Sequence, residues 1–197
     1  MSFLPEGYEI PETSNYMKFE EGENRFRILA GFNQTKKAIM GVEYWVTKDD
    51  GKRYPKRLKP GIPVPVEELE LNPKTGEVDI PKHFWAMPVY NYNAKKIQIL
   101  EITQKSIQQG IMSLSNNPKW GDPLAYDIVV TQTKEGGKTS YSVTPDPKEE
   151  VSEDIAKMYK SMYLNTAALF DGGDPFVNKD GEGLSKEETE EIEQMPF

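Results

Sequence analysis

The stretch from Tyr44 to Lys59 carries the side chains whose types best fit a binding chemistry. Two adjacent rings, Tyr44 and Trp45, are followed by the run KRYPKRLK at residues 52–59, which mixes basic residues with a third ring. A single-stranded nucleic acid is bound by cations that follow its phosphates and by flat rings on which its bases stack. The alternative is a solvent-exposed edge hairpin whose lysines guard against aggregation. We favour the first interpretation.

A second aromatic segment, KHFWAMPVYNY, covers residues 82–92. Strand-like alternation places Trp85 on the face that we assign to the core, and Tyr90 and Tyr92 on the opposite face. Both tyrosines are therefore stacking candidates; the alternative is that they pack beneath a loop. The predicted nucleic-acid contacts are Arg25, Arg27, Lys36, Lys37, Tyr44, Trp45, Lys52, Arg53, Tyr54, Lys56, Arg57, Lys59, Tyr90, Tyr92, Lys95 and Lys96.

The net charge of -8 is concentrated in the last quarter of the chain. Residues 1–147 hold 19 basic and 19 acidic side chains, whereas residues 148–197 hold 5 lysines and 13 acids. Residues 36–59 have the opposite balance, with eight basic and three acidic side chains and a net charge of +5. A neutral body with a basic patch and an acidic tail is compatible with nucleic-acid binding.

Catalytic and metal chemistry are disfavoured by what the chain lacks. It has no Cys, which excludes thiol nucleophiles and thiolate metal sites, and its single His, His83, removes most zinc and His-based triad chemistry. No glycine-rich phosphate loop accompanies its many acids. We therefore expect no enzyme activity, no cofactor and no metal. There is no apolar run of the roughly 18 residues that a membrane span needs, and no secretory signal pattern, so neither membrane insertion nor secretion is expected.

Short strands dominate the elements that must position these residues. Alternation and turn residues predict a mainly β fold, with one helix between a group of strands and a last hairpin. The OB-fold, a five-stranded Greek-key barrel, matches that order. Thr103 and Ser152 are expected to cap the two helices, and Pro88 to lie at a bulge or a sheet edge. The predicted strands are residues 24–30, 42–47, 52–57, 82–92, 96–103, 125–133 and 138–144, and the predicted helices are 104–115 and 152–169.

Three parts are predicted along the chain: an OB-fold domain at 1–147, a C-terminal helix at 148–170 and a disordered acidic tail at 171–197. Five acids within residues 187–193 precede a final Met-Pro-Phe. A solubilising tail explains the acids but not the apolar end. A terminal Phe with its carboxylate suits a basic-rimmed pocket on another protein. The predicted partner contacts are Glu190, Glu191, Ile192, Met195, Pro196 and Phe197.

Two resemblances extend these expectations. The tail resembles the acidic C-terminal tip of bacterial single-stranded-DNA-binding proteins, which ends in Pro-Phe; Met195 stands where those proteins usually have Ile. The body is similar to bacteriophage single-stranded-DNA-binding proteins of the OB-fold kind, through SFLPEGYEIPETSNYMKFEEGENRFRIL, KHFWAMPVYNYN, QILEITQKSI, NPKWGDP and AYDIVVTQT.

These resemblances imply a protein that coats exposed single strands in DNA replication or recombination. It would act in the cytoplasm of an infected bacterium and contact replication or recombination proteins through its tail. Some phage relatives carry a zinc site of Cys and His ligands, and this sequence lacks the Cys.

Two other functions fit parts of the sequence. An RNA-binding protein of the same fold is one, because ring stacking does not by itself distinguish RNA from DNA. A protein–protein adaptor or DNA mimic is the other, and it would act through the acids. The net charge of +5 over residues 36–59 argues against the adaptor.

Overall fold

The computed structural model describes residues 14–34 and 36–178, which form a mainly β fold with 39% strand and 20% helix. This confirms the predicted class, and the strands join in one open mixed sheet. The strands are β1 (Tyr16–Met17), β2 (Gly22–Ile28), β3 (Ile39–Thr47), β4 (Arg53–Leu58), β5 (Lys82–Asn91), β6 (Lys96–Ile102), β7 (Tyr126–Glu135) and β8 (Lys138–Lys148). The α-helices are α1 (Lys105–Asn116) and α2 (Glu153–Lys160), and 3-10 helices cover Val66–Glu68, Pro123–Ala125 and Thr166–Asp171.

The sheet is organised around β5. Hydrogen bonds join the strands in the order β6-β5-β2-β7-β8, and β1 pairs with β6 as a short parallel strand. β6 pairs along one edge of β5. The other edge pairs first with β3, over residues 82–86, and then with β2, over residues 89–91. The predicted β5–β6 and β7–β8 hairpins are therefore present, and α1 lies between them in the chain.

Pro88 lies inside β5, so the predicted bulge or edge position is wrong. It pairs with Ile99 of β6 in an unshifted register. The Pro88 carbonyl accepts a hydrogen bond from the Leu29 N–H at 3.0 Å, so the Pro88 nitrogen faces that same edge of β5. At this point the pairing partner of this edge of β5 changes from β3 to β2. A proline is tolerated there because its missing N–H falls between two partner strands.

One face of the sheet packs against α1. Phe26 and Val89 are fully buried in this cluster, and α1 contributes Ile107 and Ile111. The apolar side of α1 therefore packs on the sheet. Its predicted cap is wrong, because α1 begins after Gln104 and no side chain caps it.

The opposite face of the sheet is also buried, which the sequence did not predict. Phe84 and Ile99 have no exposed surface, and they pack with Ile155 and Tyr159 of α2 and with Leu169. These last three residues belong to the chain after β8, residues 149–178, which we call the C-terminal segment. This segment covers the face to which alternation assigned ligand-binding residues.

The C-terminal segment differs from its prediction in three ways. β8 runs through to Lys148, so a domain boundary at 147/148 falls inside a strand. Ser152 caps α2 as predicted, but the helix ends at Lys160 and not at 169. Residues 171–178, predicted to belong to a disordered tail, have defined positions, and the Pro175 carbonyl accepts a hydrogen bond from the Asn165 N–H at 2.8 Å. Within the described part of the chain no helix is both long enough and apolar enough to cross a membrane.

Candidate nucleic-acid interface

A two-stranded ribbon extends beyond the rest of the sheet. The β3–β5 pairing ends at Glu43 and Lys82, but β3 continues to Thr47 and remains paired with β4. The turn at its tip is closed by a hydrogen bond from the Lys48 N–H to the Lys52 carbonyl, and Gly51 supplies the positive φ of 75°. The predicted hairpin is therefore present. We call residues 44–56 the ribbon.

The ribbon carries an exposed indole beside several cations. Trp45 is 41% exposed and lies across from Pro55. It lines a groove of 370 Å³ whose charged lining residues are the cations Arg53, Lys74 and Lys82 and the acids Glu43 and Asp79. An exposed ring within a cation-bearing groove is the arrangement that base stacking and phosphate neutralisation require.

The third ring of the ribbon, Tyr54, contacts side chains of the ribbon itself. Its hydroxyl donates a hydrogen bond to the Asp50 carboxylate at 2.6 Å, and the Lys48 ammonium lies 4.3 Å from the ring centroid. Lys52, at the tip, is exposed. Six of the predicted contacts thus lie on one protruding element: Tyr44, Trp45, Lys52, Arg53, Tyr54 and Lys56.

An acidic stretch, residues 66–79, folds onto the ribbon. The sequence analysis did not predict this contact. The Glu68 carboxylate accepts hydrogen bonds from the Tyr44 hydroxyl at 2.7 Å and from the Lys56 ammonium at 2.5 Å. The Lys56 and Tyr44 hydrogen bonds lower the pKa of Glu68. Glu70 accepts hydrogen bonds from the Thr47 N–H and hydroxyl at 2.7 and 2.6 Å, which lower the pKa of Glu70.

Asp79, at the end of the acidic stretch, pairs with Arg53, which lowers the pKa of the Asp79 carboxyl. Residues 36–82 carry ten basic and eight acidic side chains, so the net charge of +5 over residues 36–59 falls to +2 once this stretch is included. The signal that could have revealed it is the density of acids in the loop, with five between residues 67 and 79.

Two predicted contacts are buried, and groups from distant parts of the chain hold them. Arg27 is 2% exposed, and its guanidinium bonds to Asp127 at 2.5 Å and to the Glu149 carbonyl at 2.9 Å. Lys37 is 2% exposed and donates to the Leu164 carbonyl at 2.8 Å. Both cations are held by groups that come 100 to 127 residues later in the chain, so their side chains are not available to a ligand.

Two more predicted contacts are buried within the sheet itself. The Arg57 side chain is 8% exposed, and it bridges the carboxylates of Glu43 at 2.9 Å and Glu101 at 3.0 Å. Burial raises the pKa of Glu101, and the Arg57 charge opposes that rise. Tyr44 is 1% exposed and bonded to Glu68. Arg57 and Tyr44 therefore hold β3, β4 and their neighbours together, and we withdraw them as nucleic-acid contacts.

Tyr90 and Tyr92 lie at the other end of β5. Their rings are half-buried and meet edge to face, with centroids 5.0 Å apart. Tyr90 is eight residues beyond Lys82, or about 26 Å at the usual rise per strand residue of about 3.3 Å. The structure does not bring this pair together with the ribbon. The remaining predicted cations are Lys59, exposed beside the ribbon base, Lys95, exposed in the β5–β6 turn, and Lys36 and Lys96, both half-buried.

Asp127 connects this tyrosine pair to the arginines of β2. It accepts a hydrogen bond from the Tyr92 hydroxyl at 3.0 Å and forms an ion pair with Arg25 at 2.7 Å. The Arg25 guanidinium lies 4.9 Å from the Tyr92 ring centroid, and half of the Arg25 side chain remains exposed. Burial and the Asp127 charge raise the pKa of Tyr92 to about 12.

The raised pKa of Tyr92 predicts a loss of stability in strong base. The ordinary value is 10.0, so the contribution is present below pH 10 and is lost as the pH rises from 10 to about 12. We expect the free energy of unfolding to fall more steeply over this interval in the wild type than in Tyr92→Phe. Urea unfolding at several pH values measures both slopes. Equal slopes would show that the Tyr92 hydroxyl ionises as it does in the unfolded chain.

No protein-family model, curated protein or solved structure matches this chain. Within residues 14–34 and 36–178, no group of three or more His, Asp or Glu side chains is arranged to hold a metal ion. The predicted partner contacts at residues 190–197 lie outside the described residues.

Proposed function

We propose that this protein binds single-stranded DNA with little sequence preference, and that the ribbon is its main contact. The observation that carries the proposal is the exposed Trp45 on a protruding two-stranded element, in a groove with Arg53, Lys74 and Lys82. The sequence-tolerant part of such binding comes from stacking, because every base has a flat face.

The strand order supports a finer proposal, that the fold is an OB-fold. In chain order β2, β5 and β6 form a meander, α1 follows, and β7 and β8 form a hairpin whose first strand pairs with β2. An OB-fold would have this strand order, with β3 and β4 as an insertion between its first two strands. The barrel is open in the described chain, where β6 and β8 are not hydrogen-bonded to each other.

We place the single-stranded DNA on the ribbon, and not on the face of the sheet, because of the C-terminal segment. It packs over Phe84 and Ile99 and covers that face of β5 and β6. The ribbon keeps Trp45 and Lys52 exposed, so predicted contacts remain accessible there.

A role in phage replication or recombination, inside an infected bacterium and with protein contacts through residues 190–197, completes the proposal. It rests on the resemblances alone. An RNA-binding role is distinguished by competition between DNA and RNA oligonucleotides of one sequence. The absence of affinity for either would support an adaptor or DNA mimic that acts through its acids.

The first test is a titration of the full chain with dT12 and with a duplex at several salt concentrations. We expect the single strand to bind more tightly, with a log–log salt slope of about -0.7 per phosphate neutralised. Duplex binding should be much weaker, because paired bases are not available to Trp45. Equal affinity for the single strand and the duplex would show that base stacking does not contribute to binding.

The acidic stretch should compete with the phosphates. Glu68→Gln combined with Asp79→Asn releases Lys56 and Arg53, so we expect dT12 to bind about two- to tenfold more tightly at low salt. The salt slope should steepen by roughly 0.7 for each additional phosphate neutralised. The matched control is Glu67→Gln with Glu77→Gln, which changes the net charge equally. Identical gains in the two double variants would mean that only the overall charge matters.

A further inference from the structure

A small hairpin forms where the acidic stretch approaches β5. Two backbone hydrogen bonds of 2.8 Å join its strands, one from the Asn72 N–H to the Glu77 carbonyl and one from the Asp79 N–H to the Glu70 carbonyl. We call residues 70–80 the side hairpin. Because successive side chains of a strand point to opposite faces, the side hairpin has an inner face toward the ribbon and an outer one.

The inner face of the side hairpin is polar. Glu70 accepts hydrogen bonds from the Thr47 N–H and hydroxyl. Asp79 accepts them from Arg53 and, at 2.8 Å, from the Asn72 side-chain amide. Charged and polar side chains therefore occupy the face that a surface strand pair normally packs with apolar ones.

The outer face of the side hairpin is aliphatic and lies in water. Leu71 and Val78 are cross-strand partners and are 63% and 53% exposed. Ile80, two residues beyond Val78, is 79% exposed. These three side chains are what we call the outer face. The usual alternation of a strand pair with one solvated face is thus inverted, since that pair turns its polar side to water.

Exposed apolar side chains are concentrated in this part of the chain. Of the nine large ones that are exposed among the described residues, five lie within residues 62–80. Met112 and Met158 lie singly on α1 and α2, and Val177 lies at the end of the C-terminal segment. Single exposed apolar residues are ordinary, but a group of them marks a surface that another molecule covers.

Charge disfavours DNA and the chain's own ends as the molecule that covers the outer face. The acidic stretch has five acids and one lysine. Residues 1–13 have three acidic and no basic side chains, and residues 179–197 have seven acids and two lysines, so both ends carry the same sign as the stretch. DNA is also anionic, and aliphatic side chains offer its bases no ring on which to stack.

We propose that the outer face binds the outer face of a second copy of this chain, about a two-fold axis. An aliphatic surface is best covered by another one, and exposed aliphatic side chains of the described chain are concentrated at this same place. Lys74 and Glu77, both exposed, lie in the loop of the side hairpin. Across a two-fold axis each meets the opposite charge of its counterpart, which is the reciprocity of an isologous interface.

The size of the outer face sets the strength of this contact. Each copy contributes three aliphatic side chains. A contact of this size belongs with weak and transient interfaces, which bury less than about 1,200 Å² in total. We therefore expect a monomer–dimer equilibrium that shifts with protein concentration. The inference goes beyond single-strand binding and does not depend on it.

Analytical ultracentrifugation of the full chain without DNA measures the equilibrium. Leu71→Ser with Val78→Ser should weaken self-association by about tenfold or more, because both changes remove apolar area from the contact. The matched control, Met112→Ser with Met158→Ser, removes two exposed apolar side chains from α1 and α2 and should leave the equilibrium unchanged. Added NaCl should not dissociate the dimer, since salt does not screen an aliphatic contact. Thermal unfolding of each variant shows whether the fold is intact.

Oxidative cross-linking locates the contact, because the chain has no cysteine. Leu71→Cys and Val78→Cys each place one thiol on the outer face of each copy, and the two-fold axis brings equivalent thiols near each other. We expect at least one of these variants to form disulfide-linked dimers about tenfold faster than Glu135→Cys, at the exposed end of β7, because a disulfide forms only between closely placed thiols.

Four outcomes overturn the inference. One is a chain that stays monomeric at the highest concentration reached. The second is a dimer that Leu71→Ser with Val78→Ser leaves intact, because the contact then lies elsewhere. The third is a Val78→Cys thiol that a maleimide cannot reach in the monomer, because another part of the same chain then covers it. The fourth is a Val78→Cys thiol that dT12 shields in the monomer, because the outer face then belongs to the DNA site. The titration with dT12 tests the proposed function separately.

Discussion

Asp127→Ala is expected to lower the free energy of unfolding by about 3–5 kcal/mol, the usual cost of removing one partner from a buried ion pair. Asp127 is 2% exposed and accepts hydrogen bonds from Arg25, Arg27 and the Tyr92 hydroxyl. Its loss leaves the Arg27 guanidinium buried with only the Glu149 carbonyl as a partner. Urea unfolding followed by tryptophan fluorescence measures the change.

Asp146→Ala is the matched control for Asp127. The Asp146 carboxylate also pairs with Arg25, at 3.1 Å, but a third of its side chain is exposed. An exposed pair of this kind contributes about 0–1 kcal/mol. Similar losses in the two variants would show that the buried position of Asp127 does not determine its contribution.

Trp45→Leu is expected to weaken dT12 binding by about 5- to 150-fold, since one base–ring stack contributes about 1–3 kcal/mol. Trp45→Phe retains a ring and should lose much less. Because Trp45 is 41% exposed, neither substitution should change the free energy of unfolding much. Fluorescence anisotropy of labelled dT12 measures the affinities.

Two results would contradict the role of Trp45 in stacking. One is wild-type affinity in Trp45→Leu. The other is an equal loss in Trp45→Leu and Trp45→Phe, which would mean that the shape of the indole matters and the presence of a flat ring does not.

The elements that the sequence predicted well are those set by neighbouring residues. Alternation and the turn Asp49-Asp50-Gly51 gave the β3–β4 hairpin, and Gly136 and Gly137 gave the turn between β7 and β8. Both signals are local, because a strand's faces and a tight turn are determined within a few residues.

The burial of the predicted cations could not be predicted from local pattern. Alternation places Arg27 and Phe26 on opposite faces of β2, but the partner of Arg27, Asp127, is 100 residues away. Lys37 donates to a carbonyl 127 residues away. Alternation shows on which face of a strand a side chain lies. It does not show that the C-terminal segment covers the other face.

The acidic stretch shows a similar limit. Residues 58–81 read as a long loop because they lack periodicity, and that is largely what they are apart from the 3-10 helix Val66–Glu68 and a bridge between Leu71 and Val78. Their charges pair with those of the ribbon only after both have folded. Counting charge over residues 36–59 alone therefore overstated the positive character of the site.

The most direct test of the central claim follows the fluorescence of Trp45 alone. Trp85→Phe with Trp120→Phe leaves Trp45 as the single tryptophan and keeps rings beside Phe32 and Tyr126. We expect dT12 to quench this emission saturably and less effectively as salt rises, and a duplex to quench it far less. Unchanged Trp45 emission while anisotropy shows dT12 to be bound would contradict the claim that single-stranded DNA stacks on the ribbon.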